Sequence, residues 1–121
     1  MIRILNGFPP NVLAIAGEGQ VTRADYETVL IPAAEEVLTA HARVSVYYEI
    51  GAAFEGVEPG AVFEDMKIGM EHFPHWQRIA VVCDVAWMRG VVQAFGFLMP
   101  GRVKLFHQSA AADAREWVSA A

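Results

Sequence analysis

The sequence predicts a single α/β domain, built on a mixed sheet of about five strands and flanked by about four helices. Short runs rich in β-branched residues alternate with segments in which apolar residues recur at helical spacing. The first two apolar runs are separated by residues 6–11, which are rich in Gly, Pro and Asn, and this predicts an antiparallel pair. Later strands are joined through helices and should therefore run parallel. At 121 residues the chain matches one ordinary domain, so we expect residues 1–121 to fold as a unit.

The boundaries of the elements follow from Gly, Pro and capping residues. Strands are expected at residues 2–5, 12–16, 44–50, 78–83 and 103–106. Helices are expected at residues 22–38, 61–73, 85–99 and 109–118. The glycines at positions 17 and 19 are interpreted as the end of the second strand, and residues 51–60 as a loop.

The first predicted helix has a recognisable start and an irregular middle. Thr22 with Asp25 three residues later forms a variant of the capping box, in which each residue binds the other's backbone N–H. Pro32 lies inside the helical pattern, where it removes a backbone donor and clashes with the preceding turn. A kink is therefore expected near Pro32.

Composition excludes several classes of function. The single cysteine, Cys83, rules out an intramolecular disulfide and favours a reducing, cytoplasmic setting. A net charge of -5, with nine scattered Lys and Arg residues, argues against nucleic-acid binding. No apolar run reaches the roughly 18 to 20 residues of a membrane-spanning helix, so no membrane span is expected.

Three small groups of residues are candidates for chemistry. His72 and His75 could bind a metal, although a helix C-terminus also favours His on electrostatic grounds. Cys83 precedes a predicted helix N-terminus, which favours a thiolate, whereas a buried small hydrophobe is the alternative. Glu49 and Asp84 should both lie at the carboxyl end of the sheet, where paired carboxylates can do acid–base work. Asp84 also fits as the N-cap of the helix that follows it.

The helix predicted at residues 85–99 is unusually apolar, since Arg89 is its only charge. One stripe, expected to face the sheet, consists of Met88, Val92, Phe95 and Met99. Further apolar residues remain on the other faces, namely Trp87, Val91, Ala94, Phe97 and Leu98. An identical subunit, a hydrophobic ligand or the predicted loop at residues 51–60, with Phe54, would cover them. Alternatively, both faces of this helix belong to the core.

Several segments resemble the SpoIIAA-like family, which is grouped with STAS and Sec14-type (CRAL-TRIO) domains. They are EDMKIG at 64–69, HF at 72–73, RIAVV at 78–82, Asp84 with Trp87, and PGRVKLF at 100–106. The resemblance extends to Tyr26, Pro32 and the strand at 44–50, and it implies a mixed sheet wrapped by helices. In the anti-sigma-factor antagonists that name the family, a serine after the third strand is phosphorylated. Residues 51–60 contain no Ser, Thr or Tyr, which argues against that switch here.

The resulting hypothesis is a non-enzymatic binding module that self-associates as a homodimer and binds a partner protein or an apolar small molecule such as a lipid. Its binding residues would be Trp87, Val91, Phe97, Leu98 and Phe54, and no cofactor is expected. One alternative is a small enzyme that uses Glu49, Asp84 or Cys83. A second alternative is a partner switch that lacks the phosphoacceptor serine.

Overall fold

The computed structural model describes residues 1–57, 76–95 and 102–120. The strands are β1 (Ile2–Ile4), β2 (Val12–Val21), β3 (Val44–Val57), β4 (Trp76–Cys83) and β5 (Arg102–Phe106). The α-helices are α1 (Arg23–Asp25), α2 (Ile31–Ala40), α3 (Ala86–Phe95) and α4 (Ala111–Ser119). A π-helical segment, Tyr26–Leu30, joins α1 to α2, and a 3₁₀ turn, Gln108–Ala110, leads into α4.

The five strands form one mixed sheet in the order β1-β2-β3-β4-β5. The β1–β2 pair is antiparallel, and the three following pairs are parallel. This confirms the predicted fold class. Hairpin-type turn residues join the antiparallel pair, whereas longer connections are needed between parallel strands.

The strands β2 to β5 are all longer than predicted, β2 and β3 by the most, and glycine explains these two errors. The second strand continues past Gly17 to Val21, because Gly19, at φ 58°, takes up a register irregularity instead of ending the strand. β3 likewise continues through Gly51 to Val57 and pairs with this extension. The loop predicted for residues 51–60 is therefore wrong over residues 51–57, and residues 58–60 lie outside the described part.

The entry to the first helix agrees with the sequence. Thr22 Oγ1 accepts from the backbone N–H of Asp25 at 3.2 Å, and Asp25 Oδ2 accepts from the N–H of Thr22 at 2.8 Å. The irregularity near Pro32 is the π-helical segment, after which Pro32 occupies the first turn of α2. The first turn tolerates proline because its N–H groups lack intrahelical partners in any case.

The sheet has a hydrophobic core on each side. The first face of the sheet carries Leu13, Ile15, Ile79 and Val81, and it packs against α2 and α3. The second face carries Val12, Ala14, Tyr47 and Ala80, and it packs against α4 through Ala114 and Val118. Sequential parallel strands with right-handed crossovers place their connecting helices on one face, which leaves the other face to the C-terminal helix.

Candidate functional site at the carboxyl end of the sheet

Three parallel strands bring the candidate polar residues to one edge of the sheet. Ile50 of β3 lies opposite Cys83 of β4, and Val82 lies opposite Phe106 of β5. The residues that follow β4 and β5, Asp84 and His107, are therefore neighbours. Ligand sites of open α/β sheets lie at this end of the strands.

Asp84 caps a helix other than the predicted one. Its Oδ1 accepts from the backbone N–H of Gln108 at 3.1 Å and lies 3.0 Å from Nδ1 of His107. The helix after β4 begins at Ala86, so Val85 rather than Asp84 precedes it. The parallel register of β4 and β5 explains the difference, because it presents the start of the last helix to Asp84.

The same contacts set the ionisation of Asp84. The hydrogen bond from the backbone N–H of Gln108, followed by the one from His107, lowers the pKa of the Asp84 carboxyl below its ordinary value. Both side chains are more than half exposed, at 56 % for Asp84 and 64 % for His107. This pair is accordingly a solvated ion pair whenever the imidazole is protonated.

Cys83 is fully buried, with 0 % of its surface exposed. Its Sγ accepts from the backbone N–H of Val85 at 3.2 Å. Burial raises the pKa of the thiol, and this outweighs the hydrogen bond and the nearby charge of Arg89, which act in the opposite direction. The pKa shift is opposite to the one expected from a helix N-terminus, so the thiol stays protonated at neutral pH.

Glu49 lies on the second face of the sheet, with Val82 of β4 directly opposite. Its Oε1 accepts from the hydroxyl of Tyr47 at 2.8 Å. Burial first, and then the hydrogen bond to Glu49, raise the pKa of Tyr47, so this hydroxyl is a permanent donor at physiological pH. Glu49 and Asp84 thus lie on one edge of the sheet, each bound to a different partner.

Arg89 turns its charge away from the surface of α3. Its Nη1 donates to the carbonyl oxygens of Cys83 at 2.9 Å and Phe106 at 3.4 Å, which end β4 and β5. The guanidinium thereby satisfies carbonyl groups at the point where the ladder stops. As a consequence, the charge of Arg89 does not lie on the outward side of α3, and residues 85–99 contain no other charged residue.

The outward face of α3 consists, within the described residues, of Ala86, Trp87, Gly90 and Gln93. Trp87 is 53 % exposed, whereas Met88 and Val92 pack against the core of the first face. Met88 and Val92 thus face the sheet as predicted, and Trp87 is exposed on the other side of the helix.

Several predicted site residues are not part of the described structure. Phe97, Leu98, Met99 and both candidate metal ligands, His72 and His75, belong to this group, and only the backbone is described for Val91, Phe95 and Phe54. The backbone of Phe54 lies in β3 opposite Gly19. Among the described residues, no three His, Cys, Asp or Glu side chains gather as a metal site would require.

Sequence reasoning missed His107, Gln108 and the role of Arg89 as a donor. His107 follows β5 directly, so the rule that placed Asp84 at the carboxyl edge also places His107 there. The inward turn of Arg89 has no comparable signal in the sequence.

No helix in the described part of the chain is long and apolar enough to cross a bilayer.

A mixed five-stranded sheet with this order and helices on both faces defines a class of small α/β domains. The model of the SpoIIAA-like family matches residues 12–119, and the chain therefore belongs to that family. It is similar to the crystal structure of an uncharacterized protein of the DUF3478 family, which has a SpoIIAA-like fold, from Shewanella loihica PV-4. The two are 24 % identical with a TM-score of 0.74, over 98 % of this chain and 92 % of that one. No curated protein matches this chain.

Proposed function

We propose that this chain is a non-catalytic, cytoplasmic binding domain that docks its partner on the outward face of α3. The observation that carries the proposal is Trp87, a large aromatic residue with 53 % of its surface exposed. Exposed aromatic residues surrounded by uncharged neighbours are typical anchors of protein interfaces.

The surroundings of Trp87 support an apolar partner. Arg89 binds carbonyl groups within the protein, and the exposed residues beside Trp87 are Ala86, Gly90 and Gln93. A partner that covers this face therefore desolvates no charge among the described residues, and desolvating an unpaired charge is the largest penalty in forming an interface. Val91, Phe97, Leu98 and Phe54 remain predicted contributors to this surface.

A second copy of the chain is the partner that we favour. Each copy carries a net charge of -5, so two copies repel each other over most orientations, but α3 offers them an uncharged face. A Cβ at position 90 would meet no atom of the described residues within 4 Å, so the backbone of a second helix can approach Gly90 closely. Two-fold dimers use such a self-complementary patch.

The test compares two exposed apolar residues by light scattering and native mass spectrometry. We expect a dimer for the wild type, a monomer for Trp87→Glu, and a dimer for Ile4→Glu, which alters another exposed apolar side chain, on β1. Thermal melts establish that both variants are folded. A monomeric wild type would overturn the proposed dimer, and a small apolar molecule carried by the monomer would replace the second copy as the occupant.

A small enzyme is the alternative, and the pair formed by Asp84 and His107 favours it. A carboxylate 3.0 Å from an imidazole nitrogen can orient a general base. Its solvation argues for the capping role instead, because perturbed groups of active sites lie in clefts. Hydrolysis of a generic activated ester that is lost in His107→Gln and kept in His41→Gln would favour the enzyme.

The partner-switch reading has the least support. Residues 51–60 contain no hydroxyl side chain, so phosphorylation at the position used by anti-sigma-factor antagonists has no acceptor. Incubation with ATP and a kinase of that class, followed by mass spectrometry, should leave the mass of the protein unchanged.

A further inference from the structure

Three cations meet on the second face of the sheet. Arg78 of β4 lies opposite Arg102 of β5, and Lys104 lies opposite Ala80. Alternate residues of a strand point to the same face, so Arg102 and Lys104 share a face with Phe106, which belongs to the second core. We refer to Arg78, Arg102 and Lys104 as the cationic patch.

Trp117 of α4 contacts two members of the cationic patch, Arg78 and Lys104. The guanidinium carbon of Arg78 lies 5.3 Å from the centroid of its ring, and Nζ of Lys104 lies 5.7 Å from it. Nη1 of Arg78 also donates to the carbonyl oxygen of Trp117 at 2.7 Å. Arg78 and Lys104 are therefore held over an aromatic ring, within the range of cation–π attraction.

The charges of the cationic patch are not compensated by carboxylates of the described residues. The ion pairs formed by the described residues lie away from the cationic patch, and they include Arg3 with Glu18 and Arg23 with Glu27. The chain has 14 acidic and nine basic residues, so random placement would put a carboxylate beside a cation more often than a second cation. The cationic patch nevertheless contains three of the nine basic residues. Like charges in cross-strand positions destabilise a sheet.

The cationic patch includes the outer strand of the described sheet. β5 pairs with β4 on one side, and no described strand pairs with its other side. An outer strand offers a row of backbone N–H and C=O groups to a further strand, and many domains bind extended peptides in this way. Charged residues on such a strand can also serve only to prevent aggregation, which is the competing explanation.

We propose that β5 binds an extended acidic segment of another protein, which adds a strand to the sheet. Acidic side chains at alternate positions of that segment face Arg102 and Lys104, and an apolar side chain comes next to Phe106. Backbone pairing provides the register, and the charges select the acidic sequence.

The electrostatics favour a short segment over an extended polyanion. At physiological ionic strength an exposed charge acts over about 8 Å, so a narrow ligand experiences the cationic patch alone. A membrane surface or a nucleic acid covers a larger area and meets the acidic remainder of a chain whose net charge is -5.

The experiment measures binding of fluorescent peptides by anisotropy. The first peptide alternates Glu and Val, and a second alternates Lys and Val. A third repeats the acidic sequence with N-methyl groups on alternate amides, which prevents backbone pairing without changing the charge. We expect the protein to bind the first peptide and neither of the others.

Variants test the part played by the charges. Neutralising both Arg102 and Lys104, as Arg102→Gln with Lys104→Gln, should weaken binding about tenfold, which corresponds to about 1.4 kcal/mol. The matched control, Arg3→Gln with Arg23→Gln, removes two exposed cations elsewhere and should change the affinity less than about twofold. If the variant pair does not fold, hydrogen exchange on the wild type replaces it, and β5 amides should gain protection with the acidic peptide.

Each of the following results would overturn the proposal. Equal binding of the N-methylated acidic peptide would show attraction by charge without strand addition. No binding of any peptide would leave protection of the outer strand as the explanation. Binding to phosphatidylserine vesicles in the absence of peptide binding would assign the cationic patch to a membrane surface.

Discussion

Trp87 and Trp117 occupy helices on opposite faces of the same sheet, and their surroundings are opposite in character. Trp87 is exposed on a helix whose only arginine, Arg89, donates to carbonyl groups inside the protein. Trp117 is half buried and lies between Arg78 and Lys104. In the two proposals, the charge around each aromatic ring, rather than the ring itself, selects the chemistry of the partner.

Replacing each tryptophan by alanine should separate their structural roles most clearly. Trp117 packs with the core of the second face, and its ring lies 5.9 Å from that of Phe106. Trp117→Ala should therefore lower the free energy of unfolding by about 2 to 3 kcal/mol. Trp87→Ala should change the stability of the monomer by less than about 0.5 kcal/mol.

Urea denaturation at a concentration below the onset of self-association measures both values. Comparable losses in the two variants would contradict the comparison, since they would place Trp87 in the core as well. A far-ultraviolet circular dichroism spectrum of Trp87→Ala that matches the wild type is the control for an intact fold.

The helices on the two faces also begin differently, which gives a smaller effect. Thr22 and Asp25 cap the first helix from within, three residues apart. Thr22→Ala should cost about 1 kcal/mol, because a backbone N–H loses its partner. Thr28→Ala makes the same chemical change within the helix, where Thr28 Oγ1 donates to the carbonyl oxygen of Ala24, and should cost close to nothing. A larger loss for Thr28→Ala in thermal melts would contradict the assigned cap.

The contrast between the two caps also explains how far the sequence could be interpreted. The capping box of Thr22 was predictable because both partners lie within one turn. The hydrogen bond from the backbone N–H of Gln108 to Asp84 spans 24 residues and depends on the register of β4 and β5. No local sequence pattern predicts it. The partners of Arg89 depend on the same register.

The existence of the strands was predictable because it depends on local apolar patterns, whereas the residues at which the strands end were not predictable. Alternating and continuous apolar runs identified all five strands and the antiparallel first pair. Gly19 was interpreted as a terminus, although a bulge requires the same residue type. The cationic patch was missed because Arg78 lies on a different strand from Arg102, and only strand pairing brings them together.

The tertiary cap at Asp84 should show a pH dependence that a neutral side chain lacks. The pKa of Asp84 in the folded protein is lowered from its ordinary value of 3.8, so the ionised carboxylate stabilises the fold above that pH. This contribution is lost as the pH falls through the lowered pKa. The melting temperature of Asp84→Asn should accordingly lie below that of the wild type at pH 6, and the difference should shrink below pH 3.8.

Asp113→Asn is the control, because Asp113 is a second exposed aspartate, which lies within the first turn of α4 itself. A difference between Asp84→Asn and the wild type that stayed constant down to pH 2 would show that the charge of Asp84 contributes nothing. A carboxyl titration of Asp84 by NMR measures the direction of the pKa shift independently.

Ionic quenching of fluorescence provides the most sensitive comparison, with no expected effect on stability. In variants that keep a single tryptophan and replace the others by phenylalanine, iodide should quench Trp117 more strongly than caesium does, because the cationic patch concentrates anions near the ring. Trp87 should show a smaller ratio of iodide to caesium quenching, since the net charge of the chain is -5 and the guanidinium of Arg89 on the same helix binds a carbonyl group within the protein.

Neutralising Lys104 tests the cause of that preference. Lys104→Gln removes the ammonium 5.7 Å from the ring of Trp117 and should lower the ratio of iodide to caesium quenching there. The ratio at Trp87 should stay the same. If Trp117 kept its preference after both Lys104→Gln and Arg102→Gln, the anions would be drawn by charges outside the cationic patch, and the contrast between the two faces would no longer rest on these residues.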